Sequence, residues 1–286
     1  MPKVIFDNYR GHTLEMVIGG IGSPYVITDI DGLAPPRADI NMTDMALTDG
    51  RRYNSAKVDA RVLNIAFAIT YEAEKHRLEA YDVFRIKQPI KMQYTSERVD
   101  VWTEGYIQTI NLGHFDNVQI MTVSIICPFP YLRSAQLIVN ELSSVVKDFH
   151  FPFAITAADP VPISYLQQES NVTVTNAGQI DTGFTMTLGA IGTVVNPKVL
   201  NYVTGEYFGL NMTMEAGDVV TIDSTAGNKA VDLLRDGVHS NIFNSIMEDS
   251  TWLIFRPGEN IFVYQADSGA EVLTIAFSHY DLYEGV

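Results

Sequence analysis

Six histidines, one cysteine and 34 carboxylates are the side chains of this 286-residue sequence most able to do chemistry. His12, His76, His114, His150, His239 and His279 are scattered, and no two have the spacing of a helical zinc motif. Cys127 ends the apolar run Val123-Ser124-Ile125-Ile126-Cys127, which suits a small buried hydrophobe better than a nucleophile. A single cysteine also excludes an intrachain disulfide and any cysteine-based zinc site. Gly19-Gly20-Ile21-Gly22 lacks the Lys-Ser/Thr of a phosphate loop and reads as a turn. Asp29-Ile30-Asp31-Gly32 starts like a calcium loop, but Ala34, Pro35, Pro36 and Arg37 then stand where ligands should follow. There is no Gly-x-Ser-x-Gly elbow, and among many acidic residues some carboxylate pair will be close by chance. The expectation is therefore no enzyme, no cofactor and no metal site.

Sugar binding is the remaining recognition chemistry with a sequence signal. Trp102 and Trp252 could each offer a flat apolar face to a sugar ring. Trp252, however, lies in the run Thr251-Trp252-Leu253-Ile254-Phe255, where a strand position facing the core is the simpler reading.

Charge narrows the partners. Residues 1–133 carry 14 Lys+Arg and 16 Asp+Glu, and the rest of the chain carries 5 and 18. Neither part clusters the basic side chains that displace phosphate counterions, so specific nucleic-acid binding is not expected. No apolar stretch approaches the roughly 20 residues needed to span a bilayer, and Met1-Pro2-Lys3 opens no signal peptide. Synthesis in a cytoplasm without membrane insertion is the expectation.

The elements that would position any site are mostly strands. Leu63, Ile65, Phe67, Ile69 and Tyr71 alternate with small or polar residues, which predicts a strand with one buried face. Residues 72–85 predict the one helix, capped by Thr70, with Leu78, Tyr81 and Phe84 facing the core. Strand-like runs follow at 90–94, 99–102, 106–112 and 118–127, with a hairpin turn at 113–117. Residues 34–59 contain Pro35-Pro36, Asp49-Gly50 and Arg51-Arg52 and read as a long, polar, exposed connection or extended hairpin. Residues 136–151 suit helix or strand, and their β-branched content favours strand. Beyond them short strands at 184–188, 219–223, 251–255, 261–264 and 271–279 alternate with turns, which indicates a sandwich or jelly roll. Length alone favours two domains, placed at 1–135 and 136–286.

Three stretches resemble the siphovirus-type tail-component family, which contains the distal tail proteins (Dit). The first runs from Tyr25-Val26-Ile27-Thr28-Asp29-Ile30-Asp31-Gly32-Leu33 through Asp49-Gly50-Arg51 to the strand ending at Ile69. The second is the strand pair from Gly105 that closes on Cys127-Pro128-Phe129-Pro130-Tyr131, with Phe129 where the family often has an acidic residue. The third is the order of Asn196-Pro197, Gly217-Asp218, Pro257-Gly258 and the end Tyr283-Glu284-Gly285-Val286. The resemblance implies an N-terminal split β-barrel with one α-helix, as in tail-tube proteins, and a C-terminal galectin-like β-sandwich. It also implies a hexameric ring at the distal end of the phage tail in the virion. That ring would join the tail tube to the tip or hub protein and the receptor-binding protein, with a channel through which DNA passes. A carbohydrate-binding module or another tail component is the alternative.

A closed ring needs two unlike complementary patches on every subunit. The polar hairpin is the part of the sequence best able to reach a neighbour. Asp49, Gly50, Arg51, Arg52 and Arg61 are accordingly the candidate oligomer-interface residues.

Overall fold

The structure, a computed structural model, describes residues 2–19, 23–113, 119–141, 143–147, 164–168 and 171–286. The chain divides into two compact units, Met1–Ala135 with Leu282–Val286, and Gln136–Asp281. The sequence division placed the last five residues in the second domain. In the structure Leu282–Tyr283 is a strand hydrogen-bonded within the first unit.

The first unit begins with β1 (Lys3–Asp7), β2 (Thr13–Ile18) and β3 (Tyr25–Asp31). A separate ribbon of β4 (Ala38–Asp44) and β5 (Arg51–Val58) follows. Then come β6 (Arg61–Ile69), α1 (Ala73–Val83), β7 (Pro89–Thr95), β8 (Asp100–Leu112), β9 (Gln119–Cys127) and β10 (Leu132–Ser134). Seven strands close a barrel in the order β8-β7-β1-β2-β3-β6-β9, with β9 returning to β8. Every pairing in it is antiparallel except β2 with β3.

Closure depends on the length of β8, which joins the two strands anticipated at 99–102 and 106–112. Its first half pairs with β7 and with β10, and its second half with β9. Gly105 sits inside the fork. A Cβ there would lie 2.6 Å from Ile125 Cγ2 and 2.7 Å from the Ile126 carbonyl, so only glycine lets β8 approach β9 this closely.

The period-two pattern of β6 reads directly onto the structure, with Leu63, Ile65, Phe67 and Ile69 buried inside the barrel. Phe6, Met16, Met92, Met121, Val123 and Ile125 meet them there. The helix is shorter than expected, and its inward face differs. Leu78 is exposed, whereas His76, Ala80 and Val83 are buried, which is the i, i+4, i+7 stripe of a 3.6-residue repeat. Phe84, just past the helix, packs edge-on against Phe6 at 4.9 Å. Thr70 does not cap α1. The N-cap is Glu72, in a left-handed conformation and without a side-chain cap bond.

The second unit contains β11 (Ile138–Glu141), β12 (Ser143–Lys147), β13 (Ser164–Gln168), β14 (Asn171–Asn176) and β15 (Thr185–Ala190). It continues with β16 (Val194–Val195), β17 (Lys198–Asn201), β18 (Tyr207–Gly209), β19 (Thr213–Met214) and β20 (Val219–Asp223). Last come β21 (Ala230–Arg235), β22 (Val238–Asn241), β23 (Gly258–Gln265) and β24 (Leu273–His279). A six-stranded sheet, β11-β24-β15-β20-β21-β22, and a four-stranded sheet, β14-β23-β17-β18, share one apolar core. Phe184 stacks on Phe255 at 4.1 Å, and Phe262 and Phe277 complete the cluster. The chain is thus mainly β, a barrel with one helix followed by a sandwich, as its alternating runs anticipate.

One strand expectation fails. Residues 251–255 hold only an isolated bridge, Thr182 to Phe255, because Leu253 and Phe255 reach the core from an irregular segment. Of residues 136–151, 138–141 and 143–147 are strand, as β11 and β12, Gln136 and Leu137 are not, and 142 and 148–151 lie outside the described residues. Of the turn anticipated at 113–117, residues 114–117 likewise lie outside the described residues.

Candidate assembly surface

Among the described residues, the β4–β5 ribbon is a surface that pairs with no other strand. It forms a two-stranded sheet of its own, and every residue of it except Val58 is exposed. Directly opposed residues of an antiparallel pair share a face. The register therefore gives one face Ala38 with Val58, Ile40 with Ala56, Met42 with Tyr53 and, at the tip end, Asp44 with Arg51. The other face carries Asp39 with Lys57, Asn41 with Ser55, and Thr43 with Arg52. A bulge at Asn54 creates this separation by skipping one residue of β5 between Ser55 and Tyr53. Asn54 Nδ2 donates to Thr43 Oγ1 at 2.6 Å.

The ribbon is amphipathic, and its apolar side is bare. Ile40 is 56% exposed, Met42 45% and Tyr53 62%. At the tip Leu47 is fully exposed with a φ of 75°. An isolated two-stranded ribbon is marginal in water, and a contiguous exposed apolar face marks an interaction site.

Four of the five candidate residues lie together at the tip end of this arm. Arg51 Nε pairs with Asp44 at 2.7 Å across the ribbon, and Arg52 is its neighbour on the opposite face. Gly50, with a φ of 99°, and Asp49 belong to the turn leading into β5. Gly50 supplies the positive φ that a side chain would resist.

Arg61 is elsewhere and does something else. It is 2% exposed. Its guanidinium donates to the carbonyls of Pro130 at 2.6 Å and Ala34 at 3.0 Å, and also to those of Gly32 and Glu284. Burial pulls its pKa below the usual guanidinium value. The side chain is an internal clamp that ties the root of the arm, the Pro128–Tyr131 landmark and the chain end together. Gly32 permits that packing, since a Cβ there would collide with the Val62 carbonyl.

The residues considered for chemistry are dispersed. Cys127 is fully buried, and burial raises its thiol pKa. His76 Nδ1 lies 2.8 Å from Glu79, and His279 is buried 3.4 Å from Asp281. His114, His150 and Gly20-Ile21-Gly22 lie outside the described residues. Among the described residues, no group of three or more His, Cys, Asp or Glu could hold a metal ion. Both tryptophans already have packing partners. Trp252 lies against Phe208 and Phe243 at 5.1 and 5.8 Å, and Trp102 has Lys91 and Arg133 over its ring.

The apolar stripe Ile40, Met42 and Tyr53 is the feature that sequence reasoning missed. Alternation along 38–43 could have revealed it, but the bulge hides the matching pattern on the return strand.

Residues 177–280 match the family model described as the siphovirus-type tail component, C-terminal domain. Among solved structures, the SPP1 Dit (gp 19.1) protein aligns over 98% of this chain and 99% of its own, at 12% identity and a TM-score of 0.67. It is described as a paradigm of the hub adsorption apparatus in Gram-positive infecting phages. A chain of the phage p2 baseplate in its activated conformation aligns over 98% of both chains at 8% identity, with a TM-score of 0.48. No curated protein matches by sequence. Residues 177–280 are thus similar to a siphovirus-type tail-component C-terminal domain, and the chain as a whole has the fold of the SPP1 Dit protein.

Proposed function

We propose that the protein is a structural component of the distal phage tail, working through assembly rather than through a reaction. Its barrel unit forms a hexameric ring around a channel for the genome. One face of the ring meets the tail tube and the other the tip or hub protein, while the sandwich unit neighbours the receptor-binding machinery. Its place is the distal end of the tail in the virion. The observation that carries this reading is the arm, a two-stranded ribbon with an uncovered apolar face, on a chain whose second unit matches a tail-component family. Such a face is stable in water only when another surface covers it. Lack of clustered basic charge fits a channel that passes DNA without gripping it.

The test is light scattering and electron microscopy of the purified protein across a concentration series. Six-fold rings with an open centre are expected. A protein that stays monomeric at every concentration, and is absent from purified phage, would sink the reading.

A further inference from the structure

We infer that Leu282–Val286 is a strap that fixes the direction of the β4–β5 arm by closing over its root. The arm leaves the barrel after β3 through residues 32–37 and returns through 59–60, just before β6. Every residue of β4 and β5 except Val58 is exposed, so these two roots are what hold the arm to the barrel. A two-stranded ribbon with so few buried contacts swings unless its roots are fastened.

The strap fastens the outgoing root. Leu282 and Tyr283 pair with Arg133 and Leu132 of β10, and Leu282 and Leu132 are both buried. That pairing lays the next three residues along the root. Val286 N donates to the Leu33 carbonyl at 3.1 Å. Gly285 packs so closely that a Cβ would lie 2.6 Å from Pro35 N and Cδ, and 2.8 Å from the Ala34 carbonyl carbon. Its backbone is outside the left-handed region, so close approach alone calls for glycine here. One guanidinium then joins the strap to both roots. Arg61, where the returning root enters β6, donates to the carbonyls of Gly32 and Ala34 on the outgoing root and of Glu284 on the strap. Arg61 is buried, and a buried N–H without an acceptor is costly, so a lifted strap also loosens its hold on the root.

Chain order turns this support into a device. The strap follows the second unit, Gln136–Asp281, in the sequence. The arm's direction is therefore set last, once the chain has passed through the sandwich and returned to the barrel. Under the ring reading above, this holds assembly back until the second unit has been made. The strap itself concerns a single chain and does not rest on that reading.

The test is single-molecule energy transfer in the full chain, with dyes on Ser55→Cys in the arm and Glu97→Cys in the β7–β8 turn. Both positions are exposed, and Cys127 is buried and takes no dye. The parent should show one narrow transfer population. Gly285→Ala forces the strap off Pro35, and Val286→Pro removes the N–H that reaches Leu33. Each should shift or broaden the population, and either suffices if the other fails to fold. Val286→Ala keeps the N–H and should match the parent. Populations unchanged in both strap variants would overturn the strap. So would a broad population in the parent, or a Val286→Ala chain that behaves like Val286→Pro. Each chain is read alone at this dilution, so a failure of the strap is seen apart from a failure of the ring.

Discussion

Arg61 shows how far a residue's role can lie from its sequence signal. Its position near an exposed hairpin suggested a contact with a neighbour, yet its side chain is buried and satisfies four backbone carbonyls. Removing it leaves those acceptors buried without donors, each a cost of about 1–3 kcal/mol before relaxation. Arg61→Ala should therefore destabilise the first unit by roughly 3–5 kcal/mol, the range for breaking a buried charged network, read by denaturant unfolding. Arg51→Glu with Arg52→Glu should stay within about 0.5 kcal/mol, since both side chains are exposed. Equal effects from the two sets would contradict this division of labour. Acid should act on the second unit through two other residues. Arg235 donates to Asp218 from Nε at 2.9 Å and holds that carboxyl below its usual range. Burial depresses His279, against the opposing charge of Asp281. In both cases the unfolded chain takes up the proton first, so stability is complete above the unfolded pKa and declines as pH falls through the folded one. The His279 contribution begins to fade below about pH 6.5 and that of Asp218 below about pH 4. Melting temperature measured from pH 8 to pH 3 should fall in that order, and His279→Asn should remove the earlier loss. A profile that is flat down to pH 4 would refute the histidine's part.

At the scale of elements, α1 supplies the sharpest contrast between pattern and packing. Spacing by three placed Leu78 on the buried face, but the barrel covers His76, Ala80 and Val83. Leu78→Ala should consequently cost no more than about 0.5 kcal/mol, the scale of a surface change. Ala80→Leu must insert a large side chain at a site with no exposure and should cost about 1–3 kcal/mol. Urea midpoints compared between the two variants decide it, and a larger loss from Leu78→Ala would mean that α1 is rotated. Much of the fold was legible because each β6-like strand buries one face only, so burial prints a period of two on the sequence. Local periodicity shows only what a residue's own element does. The segment 251–255 alternates like a strand, yet the core accepts Leu253 and Phe255 without a paired backbone. The tip cluster of Asp49, Gly50, Arg51 and Arg52 was legible because turns and charges announce exposure. The apolar face beside it was not, because the bulge at Asn54 moves Tyr53 into line with Ala56 and Val58 only once the strands are paired. Arg61 was illegible for the same reason, since its partners Gly32, Pro130 and Glu284 are distant in sequence.

For the whole molecule, charge and apolar surface are apportioned differently between the units. The first unit holds 14 Lys+Arg and 17 Asp+Glu, and the second holds 5 and 17. Subunits gathered through near-neutral barrels meet little long-range opposition from those barrels, whereas the acidic sandwiches repel one another wherever they come within a Debye length. That length is about 10 Å at 0.1 M salt and about 3 Å at 1 M. If the arm's apolar face drives assembly, salt screens the repulsion and leaves the attraction intact, because apolar burial does not depend on counterions. The population of rings should then rise, or hold, between about 0.05 M and about 1 M sodium chloride, the range over which screening changes most. Assembly carried by exposed ion pairs would respond the other way, and such pairs are worth about 0–1 kcal/mol each. Light-scattering mass at fixed protein concentration across the salt series separates the two. Dissociation with increasing salt would transfer the driving force from Ile40, Met42 and Tyr53 to the charges at the arm's tip, leaving the apolar face as the part that needs a different partner.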